Sequence, residues 1–323
     1  MDYDRIGQEL LRALRGSRSQ TALSRRLGYS TNVIYTWEAG RRSPTLRDLW
    51  SVARCVAVRP EDALKRFLTV VPRELGRLKP DTVDGVAALL RELRGDQPLQ
   101  GLAASTGYSR HALSRWFAGR AEPTLPQALA LIDAASFRAL DFVACLVDPP
   151  ALPSAAEAWR TLCARRKIAF ELPWSHGVLR ALELADYRAL RAHRRGWIAE
   201  RIGITRDEET ACLQALVDAG LVRIVDGRYT DAPVTVDTRL GPDAGRRAMK
   251  AHWAQVGLDR LGAGSPGLFS YNVCGVSRSD LARLQELHGA YFNQLRAIVA
   301  ASEPVECVVV ANVQLFELGS SPS

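Results

Sequence analysis

The sequence has few of the features that mark secreted, membrane-bound or enzymatic proteins. Its first residues carry acidic charge with no apolar segment behind them, so no secretory signal is predicted. No window approaches the ~18 apolar residues that a membrane span requires. The most apolar stretch, Val305–Phe316, is short and contains Glu306, Asn312 and Gln314. We therefore expect a cytoplasmic protein.

Cysteine is sparse and unpatterned. The six cysteines never form a C-x-x-C pair, so neither a zinc site nor a disulfide framework is indicated. We expect them to be reduced and mostly buried, and we predict no metal and no cofactor. They are Cys55, Cys145, Cys163, Cys212, Cys274 and Cys307.

Motifs of nucleotide-binding and hydrolytic enzymes are missing as well. The sequence contains no P-loop, no H-E-x-x-H and no G-x-S-x-G. Gly262, Gly264 and Gly267 match the G-x-G-x-x-G spacing. They follow a predicted helix and precede a predicted strand, which reverses the order that pyrophosphate binding at a helix N-terminus needs. The protein is therefore predicted not to be an enzyme.

What is present is a globular composition with a local excess of positive charge. Apolar residues make up 47% and charged residues 24%, which excludes a wholly disordered chain. The net charge of +8 favours a polyanionic partner. Residues 1–79 contain 16 Lys and Arg against 8 Asp and Glu, whereas residues 80–150 contain 6 against 8 and residues 151–323 contain 21 against 19. The first segment is thus the one expected to contact phosphates.

An internal repeat with an offset of 79 residues organises the first half of the chain. The two copies of a small helical domain are predicted at residues 1–70 and 84–148, with a connector at 68–84. Matching positions are Gly28-Tyr29-Ser30 with Gly107-Tyr108-Ser109, Trp37 with Trp116, Ala39-Gly40-Arg41 with Ala118-Gly119-Arg120, and Pro44-Thr45-Leu46 with Pro123-Thr124-Leu125.

The first copy is predicted to contain five short helices. Residues 5–15 have a helical apolar stripe that Gly16 ends, and Ser19 is a good N-cap for a helix running to Leu27. Ser30 is expected to cap a third helix over residues 31–39, and two more helices start at Pro44-Thr45 and at Pro60-Glu61. Two helices joined by a tight turn with glycine are typical of a helix-turn-helix.

The details of residues 19–44 carry a family resemblance. They include Gln20 at the start of the second helix, the Leu27-Gly28 turn, the Ile34-x-x-Trp37-Glu38 pattern and the Gly40-Arg41-Arg42-x-Pro44 exit. This segment resembles the Cro/CI-type (XRE-family) helix-turn-helix of transcriptional regulators. It departs from the family at Ser24, where alanine is usual and serine is nearly isosteric.

The helix over residues 31–39 is predicted to enter the major groove. Ile34 and Trp37 face inward, which turns the opposite face to the bases, where Asn pairs with adenine and Thr or Val methyl groups touch thymine. The arginines after the helix would contact phosphate, and a plain solvated cap is the alternative for Thr31 and Asn32. The predicted DNA-binding residues are Ser19, Gln20, Ser30, Thr31, Asn32, Val33, Tyr35, Thr36, Arg41 and Arg42.

The second copy is divergent and leaves two interpretations open. Leu99 takes the position of Gln20, Phe117 takes that of Glu38, and the surrounding segment is acidic. These changes favour a retired copy that packs against its neighbours or dimerises. The alternative is a second DNA contact, because arginine is the commonest reader of guanine. Its residues would be Arg110, His111, Ser114, Arg115 and Arg120.

Residues 174–318 are predicted to form an α+β domain with a winged-helix-like part. The helix over 206–219 begins with acidic residues that would repel phosphate, which indicates a structural or dimerising module. The predicted elements are helices at 178–191, 197–203, 206–219, 244–261 and 279–302, a hairpin turning at Asp226-Gly227, and strands at 269–276 and 306–316. The apolar run within the last strand indicates burial on both faces or in an interface.

This half also carries a resemblance. Trp197-Ile198-Ala199, residues 216–221, His252 and the closing Val313-Gln314-Leu315-Phe316 resemble bacterial helix-turn-helix regulators that have a C-terminal domain of unknown function. The resemblance covers about residues 80–318. It implies a regulator, with the first repeat as an added DNA-binding head, and it implies no particular ligand.

The sequence as a whole predicts a mainly α protein with two tandem lambda-repressor-like helix-turn-helix domains and an α+β domain for dimerisation and regulation. We expect a sequence-specific double-stranded-DNA-binding repressor, associated with the nucleoid and dimeric, with heads on half-sites about one helical turn (~34 Å) apart or a multiple of it. The alternative is a protein-interaction or antitoxin-like regulator whose C-terminal half binds a polypeptide or a small effector.

Overall fold

The computed structural model describes residues 1–68, 71–231 and 243–319. The chain divides into two compact units, Met1–Arg160 and Thr161–Ser323. Residues 69–70 of the predicted connector and residues 232–242 of the predicted C-terminal domain lie outside the described residues.

The first unit consists mainly of helices. The five helices expected in the first copy are confirmed, and a further short helix, α6, lies in the predicted connector. The elements are α1 (Tyr3–Arg15), α2 (Gln20–Arg26), α3 (Val33–Glu38), α4 (Leu46–Cys55), α5 (Pro60–Phe67), α6 (Arg73–Arg77), α7 (Val83–Arg94), α8 (Leu99–Thr106), α9 (Arg110–Phe117), α10 (Leu125–Ser136), α11 (Ala139–Ala144), a 3-10 turn (Pro149–Ala151) and α12 (Pro153–Glu171), which runs into the second unit.

The start of α3 differs from the prediction. Ser30 does not cap this helix, because the Asn32 side chain accepts a hydrogen bond from the Tyr35 backbone N–H at 3.3 Å and the helix begins at Val33. An asparagine carboxamide at this position competes well for the exposed N–H groups of the first turn. In the second repeat the equivalent serine, Ser109, does cap α9, through the Ala112 N–H at 3.1 Å.

The two repeats share one hydrophobic core. Trp50 and Phe67 come from the first repeat and Phe142 from the second, and each side chain is at most 1% exposed. The Phe142 ring meets Trp50 edge-on at 5.3 Å and Phe67 at 5.4 Å between ring centroids. Aromatic pairs in this geometry add to the burial energy, so the repeats form one packed unit.

The second unit has a helical part followed by a two-stranded hairpin. The hairpin is antiparallel, with Val225 opposite Arg228, and its turn residues Asp226 and Gly227 both have positive φ, as a two-residue turn requires. The elements are α13 (Ser175–Leu182), α14 (Ala185–Arg188), α15 (Trp197–Ile202), α16 (Arg206–Asp218), β1 (Val222–Val225), β2 (Arg228–Asp231), α17 (Asp243–Gly262) and α18 (Arg278–Ala300). Their core contains Val178, Tyr187, Ile198, Leu213 and Leu216.

Three predictions for the second unit are wrong. The single helix over 178–191 is two helices, because Leu184 is extended (ψ 135°) and separates α13 from α14. Residues 269–276 and 306–316 form no ladder with any described residue. Within the last segment Val309 is 73% exposed and Val310 53% exposed, so this run is not buried on both faces in the chain.

The cysteines are free, as expected, but they are not mostly buried. Cys145 and Cys212 are buried, and burial raises the pKa of both thiols to about 11. Cys163, Cys274 and Cys307 are exposed. Among the helices of the described residues, none combines the length and the apolar character needed to cross a membrane.

Candidate nucleic-acid interface

The helix pair α2–α3 is packed from its inner face, as the sequence predicts. Ile34 is 1% exposed and Trp37 is 5% exposed, and Leu23 of α2 packs beneath them at 3%. The turn between the helices passes through Gly28, whose φ of +88° disfavours any side chain. Tyr29 follows and meets Trp37 edge-on at 5.8 Å. The outer face of α3 is thereby oriented away from the core.

A buried carboxylate holds α3 to the two preceding helices. The Glu38 side chain is 4% exposed and accepts hydrogen bonds from Arg15 of α1, Nε at 2.6 Å and Nη2 at 3.0 Å. It also accepts from the Gln20 amide of α2 at 2.6 Å. The bond to Glu38 raises the pKa of the Arg15 guanidinium. Arg12 donates to the Glu38 backbone carbonyl at the end of α3. We call these residues the Glu38 clamp.

The Glu38 clamp was not anticipated from the sequence, although a signal for it exists. A glutamate directly after a buried tryptophan, at the end of a six-residue helix, lies too close to the core to remain unpaired. Arg15 is one turn beyond buried Leu11 on α1 and can therefore reach the same side.

Ser24 links the same helices at their other end. Its hydroxyl oxygen accepts the Ile34 backbone N–H at 3.1 Å, and it lies 2.8 Å from the Gln20 carbonyl and 3.2 Å from Asn32 Oδ1. The serine that departs from the family pattern therefore satisfies a buried N–H at the start of α3 that alanine would leave without this partner.

The residues predicted to contact bases lie on one surface, but they differ in exposure and in the hydrogen bonds that their side chains already make. Thr31 is exposed and Tyr35 is 43% exposed. Thr36 is half-buried and its hydroxyl donates to the Val33 carbonyl at 2.7 Å. Asn32 is half-buried and its Oδ1 caps α3, so a bidentate pair with N6 and N7 of an adenine requires this cap to open. Val33 is also half-buried.

The residues predicted at the ends of the helices are arranged around this surface. Ser19 caps α2 by accepting the Ala22 N–H at 3.4 Å, and Ser30 is exposed in the turn. The Gln20 amide is directed to Glu38, which makes Gln20 part of the clamp as well as a candidate contact.

Positive charge surrounds the exposed face of α3. Arg41 and Arg42 follow the helix and are exposed, and Arg41 lies 5.2 Å from the Tyr35 ring centroid. Arg25 and Arg26 at the end of α2 are exposed too. A short helix that carries polar side chains and is flanked by guanidinium groups at both ends can enter a groove while the arginines meet the phosphates.

The candidate residues of the second repeat form a similar exposed set. Arg110, His111, Ser114 and Arg115 lie along α9, and Arg120 lies in the loop after it. Neither unit contains, among its described residues, a group of three His, Cys, Asp or Glu side chains placed to hold a metal ion.

Two family models match the chain. The model described as Helix-turn-helix matches residues 11–62, which contain α2 and α3. The model described as Domain of unknown function (DUF4423) matches residues 155–318, about half of the sequence. The chain belongs to the DUF4423 family. No curated protein and no solved structure matches it.

In this DUF4423 protein the helix-turn-helix match covers the helices whose geometry is described above, and the resemblance of residues 19–44 to the XRE type is confirmed. The helix-turn-helix family is typically a DNA-binding domain without enzymatic activity. The protein is therefore, in general terms, a DNA-binding regulator.

Proposed function

We propose that the protein is a sequence-specific regulator that reads the major groove of double-stranded DNA with α3 and the residues just before it. The observation that carries this proposal is the outer face of α3 and the residues before it, where Thr31 and Tyr35 are exposed and Thr36 is half-buried, held outward by the Glu38 clamp and flanked by Arg41 and Arg42. Repression, and a cytoplasmic location on the nucleoid, belong to the same proposal.

Charge supports α3 as the groove-reading helix. The whole excess of +8 is found in residues 1–79, and the arginines beside α3 are exposed. Because phosphate neutralisation supplies most of the affinity for duplex DNA, this segment has the strongest electrostatic footprint on the chain. The base-facing side chains then provide the sequence preference.

Two substitutions separate phosphate contact from base contact. The probes are a duplex selected by the full-length protein from a random pool and a duplex of random sequence. Arg42→Ala is expected to weaken binding to both by a similar few-fold factor and to lower the slope of log K against log salt by about one. Tyr35→Ala is expected to weaken the selected duplex by about tenfold and the random one far less. Affinities are measured by fluorescence anisotropy across a salt series.

The matched control is Arg160→Ala, an exposed arginine at the last position of the first unit. Asn32→Ala is a poor test because it also removes the N-cap of α3, which is worth about 1 kcal/mol. If Arg42→Ala and Tyr35→Ala both behave like Arg160→Ala, α3 does not contact DNA.

We also propose that the protein is a homodimer formed through the end of the second unit. Of the 23 large apolar side chains that are exposed among the described residues, 17 lie between Leu258 and Leu318. They include Tyr271 at 95%, Ile298 at 71% and Phe316 at 69% exposed. Soluble monomers rarely leave this much apolar surface in one region, and obligate dimers bury it.

A second copy is the partner that fits this surface. Residues 268–276 and 305–316 are rich in β-branched and aromatic residues, yet they form neither a helix nor a strand paired with any described residue. Arg278 and Glu317 form an ion pair at 2.6 Å, which joins the end of the second segment to the start of α18. The same segments of another copy offer the matching backbone groups and apolar faces, so a two-fold pairing covers them all.

The mass in solution tests the homodimer. Wild-type protein is expected at twice 35.5 kDa by multi-angle light scattering. Phe316→Asp is expected to shift the mass to that of one chain at micromolar concentration, because a buried unpaired carboxylate opposes association. Phe137→Asp, on a residue of the first unit that is 55% exposed, serves as the control and should leave the dimer intact.

A wild-type mass of one chain at all concentrations would contradict the dimer and favour the second candidate function, a protein-interaction or antitoxin-like regulator. The observation behind this alternative is the same apolar surface, which would then cover a different polypeptide. A small effector would use the open cleft of about 370 Å³ beside α14 and β2, which is lined by Leu182, Tyr187, Arg188, Arg228, Tyr229 and Thr230.

A further inference from the structure

The two repeats contact each other through equivalent residues. Thr45 and Thr124, which are 79 positions apart and therefore correspond, form an isolated antiparallel bridge. Beside it the Leu125 N–H donates to the Pro44 carbonyl at 2.7 Å. When a residue pairs with its own counterpart, the two copies are related by an approximate two-fold axis through that pair, as in a symmetric dimer.

Contacts further from the bridge follow the same symmetry. The start of α1 meets the end of α10 through the Tyr3 hydroxyl, which donates to Asp133 at 2.7 Å. The start of α7 meets the end of α4 through Arg54, which donates to Asp81 at 2.9 Å. Asp133 and Arg54 are counterparts at the 79-residue offset. The first unit thus contains, within one chain, the arrangement that other helix-turn-helix proteins obtain by dimerisation.

The second repeat keeps the framework that positions a recognition helix. Arg91 donates to the Phe117 carbonyl at 2.6 Å, as Arg12 does to that of Glu38. Tyr108 meets Trp116 edge-on at 5.3 Å, as Tyr29 meets Trp37. Only the ionic part of the clamp is replaced, by the Arg94 guanidinium over the Phe117 ring. A copy that served only for packing would have no need to hold α9 in this way.

The exposed face of α9 is basic although residues 80–150 have a net charge of −2. Arg110, Arg115 and Arg120 are exposed. Four of the eight acidic residues in this segment are engaged by other groups or buried: Asp81 and Glu122 form ion pairs with Arg54 and Arg47 of the first repeat, Asp133 accepts from Tyr3, and Asp141 is buried. Asp84 lies beside Gly119, next to Arg120. The net charge of the segment therefore does not describe the surface that α9 presents.

We propose that a single chain reads a composite DNA site of two unlike half-sites, α3 reading one half and α9 the other, with the half-site centres one helical turn apart. The proposal rests on DNA binding by α3, as proposed above. It replaces the interpretation favoured from the sequence, in which the second copy serves only for packing or dimerisation. The unlike halves follow from the side chains, since α3 offers threonine and tyrosine where α9 offers arginine, histidine and serine.

The loops that join α3 and α9 to the approximate two-fold axis at Thr45 and Thr124 limit the distance between the two helices. Thr45 is six positions after Ala39, and Thr124 is six positions after Ala118, so each helix ends within roughly 20 Å of the bridge even with the chain fully extended. The ends of α3 and α9 are then at most roughly 45 Å apart, which permits a separation of one turn (~34 Å) and excludes two turns (~68 Å).

The test starts from duplexes selected by the full-length protein from a random pool. The selected site is expected to have two dissimilar halves whose centres are about 10 base pairs apart. Arg110→Ala with Arg115→Ala is expected to weaken binding by about ten- to a hundred-fold and to remove the sequence preference in one half only. Tyr35→Ala is expected to relax the other half, and Arg160→Ala neither.

Insertion of five base pairs between the halves gives a second, independent readout. The wild type should lose as much affinity on this insertion as it loses through the double substitution, while the double variant should be indifferent to the insertion. Two outcomes would overturn the composite site while leaving DNA binding by α3 intact. The first is a selected site with only one half. The second is a site with two identical halves that both respond to Tyr35→Ala and not to the double substitution. Selection of no site, with no effect of Tyr35→Ala or Arg42→Ala, would instead remove the proposed function itself.

Discussion

Phe142→Ala is expected to lower the free energy of unfolding of the first unit by about 3–5 kcal/mol, the range for a fully buried phenylalanine. The ring is 1% exposed and packs edge-on against both Trp50 and Phe67. Because these two residues belong to the first repeat, the cavity opens between the repeats, and the substitution weakens both at once. Urea denaturation measures the loss.

Amide hydrogen exchange tells whether the repeats are one cooperative unit. In Phe142→Ala, protection is expected to fall by the same factor in α1–α5 and in α7–α11, since neither set retains its core without the other. Phe137→Ala, which alters a ring that is 55% exposed five residues earlier, is expected to change little and is the matched control. Loss of protection confined to α7–α11 would mean that the first repeat folds alone.

The sequence predicts the helices of the first unit well because the determinants are local. Glycines that end helices, an apolar stripe at 3–4 spacing, and the burial of Ile34 and Trp37 all follow from neighbouring residues. The pairing of the repeats could not be predicted in this way. Its central contact uses Thr45 and Thr124, which are also helix N-caps, and a cap residue gives no sign that its backbone pairs with another chain segment.

The two strands predicted in the second unit show where prediction from composition fails. Residues 269–276 and 306–316 have the composition of strands, but a strand exists only with a partner edge, and composition does not name the partner.

The candidate interface shows a related limit for the prediction of side-chain contacts. Asn32 is predicted to pair with a base, and in the structure its carboxamide caps α3, because the same group can serve either purpose and the backbone N–H groups are nearer.

Glu38→Gln is expected to destabilise the first unit by about 3 kcal/mol and to reduce DNA affinity along with it. The carboxylate accepts three hydrogen bonds from Arg15 and Gln20, two of them at 2.6 Å, and is almost fully buried. A glutamine of the same volume removes the charge and turns an amide N–H toward donors, so the Arg15 guanidinium loses its counterion. Breaking a buried pair from one side costs about 3–5 kcal/mol, and the 20% exposure of Arg15 places this case at the lower end.

The second repeat supplies a rescue that distinguishes lost charge from lost packing. Gln20→Leu combined with Glu38→Phe copies Leu99 and Phe117, where the arginine lies over an aromatic ring 5.2 Å away. In this double variant the urea midpoint of unfolding should return most of the way to the wild-type value that Glu38→Gln lowers, because an apolar replacement leaves no buried group unpaired. Glu157→Gln, at an exposed position of the same unit, is the control. If Glu38→Gln denatures at the same urea concentration as this control, the clamp does not hold α3, and the outward position of Thr31 and Tyr35 must depend on the burial of Ile34 and Trp37 alone.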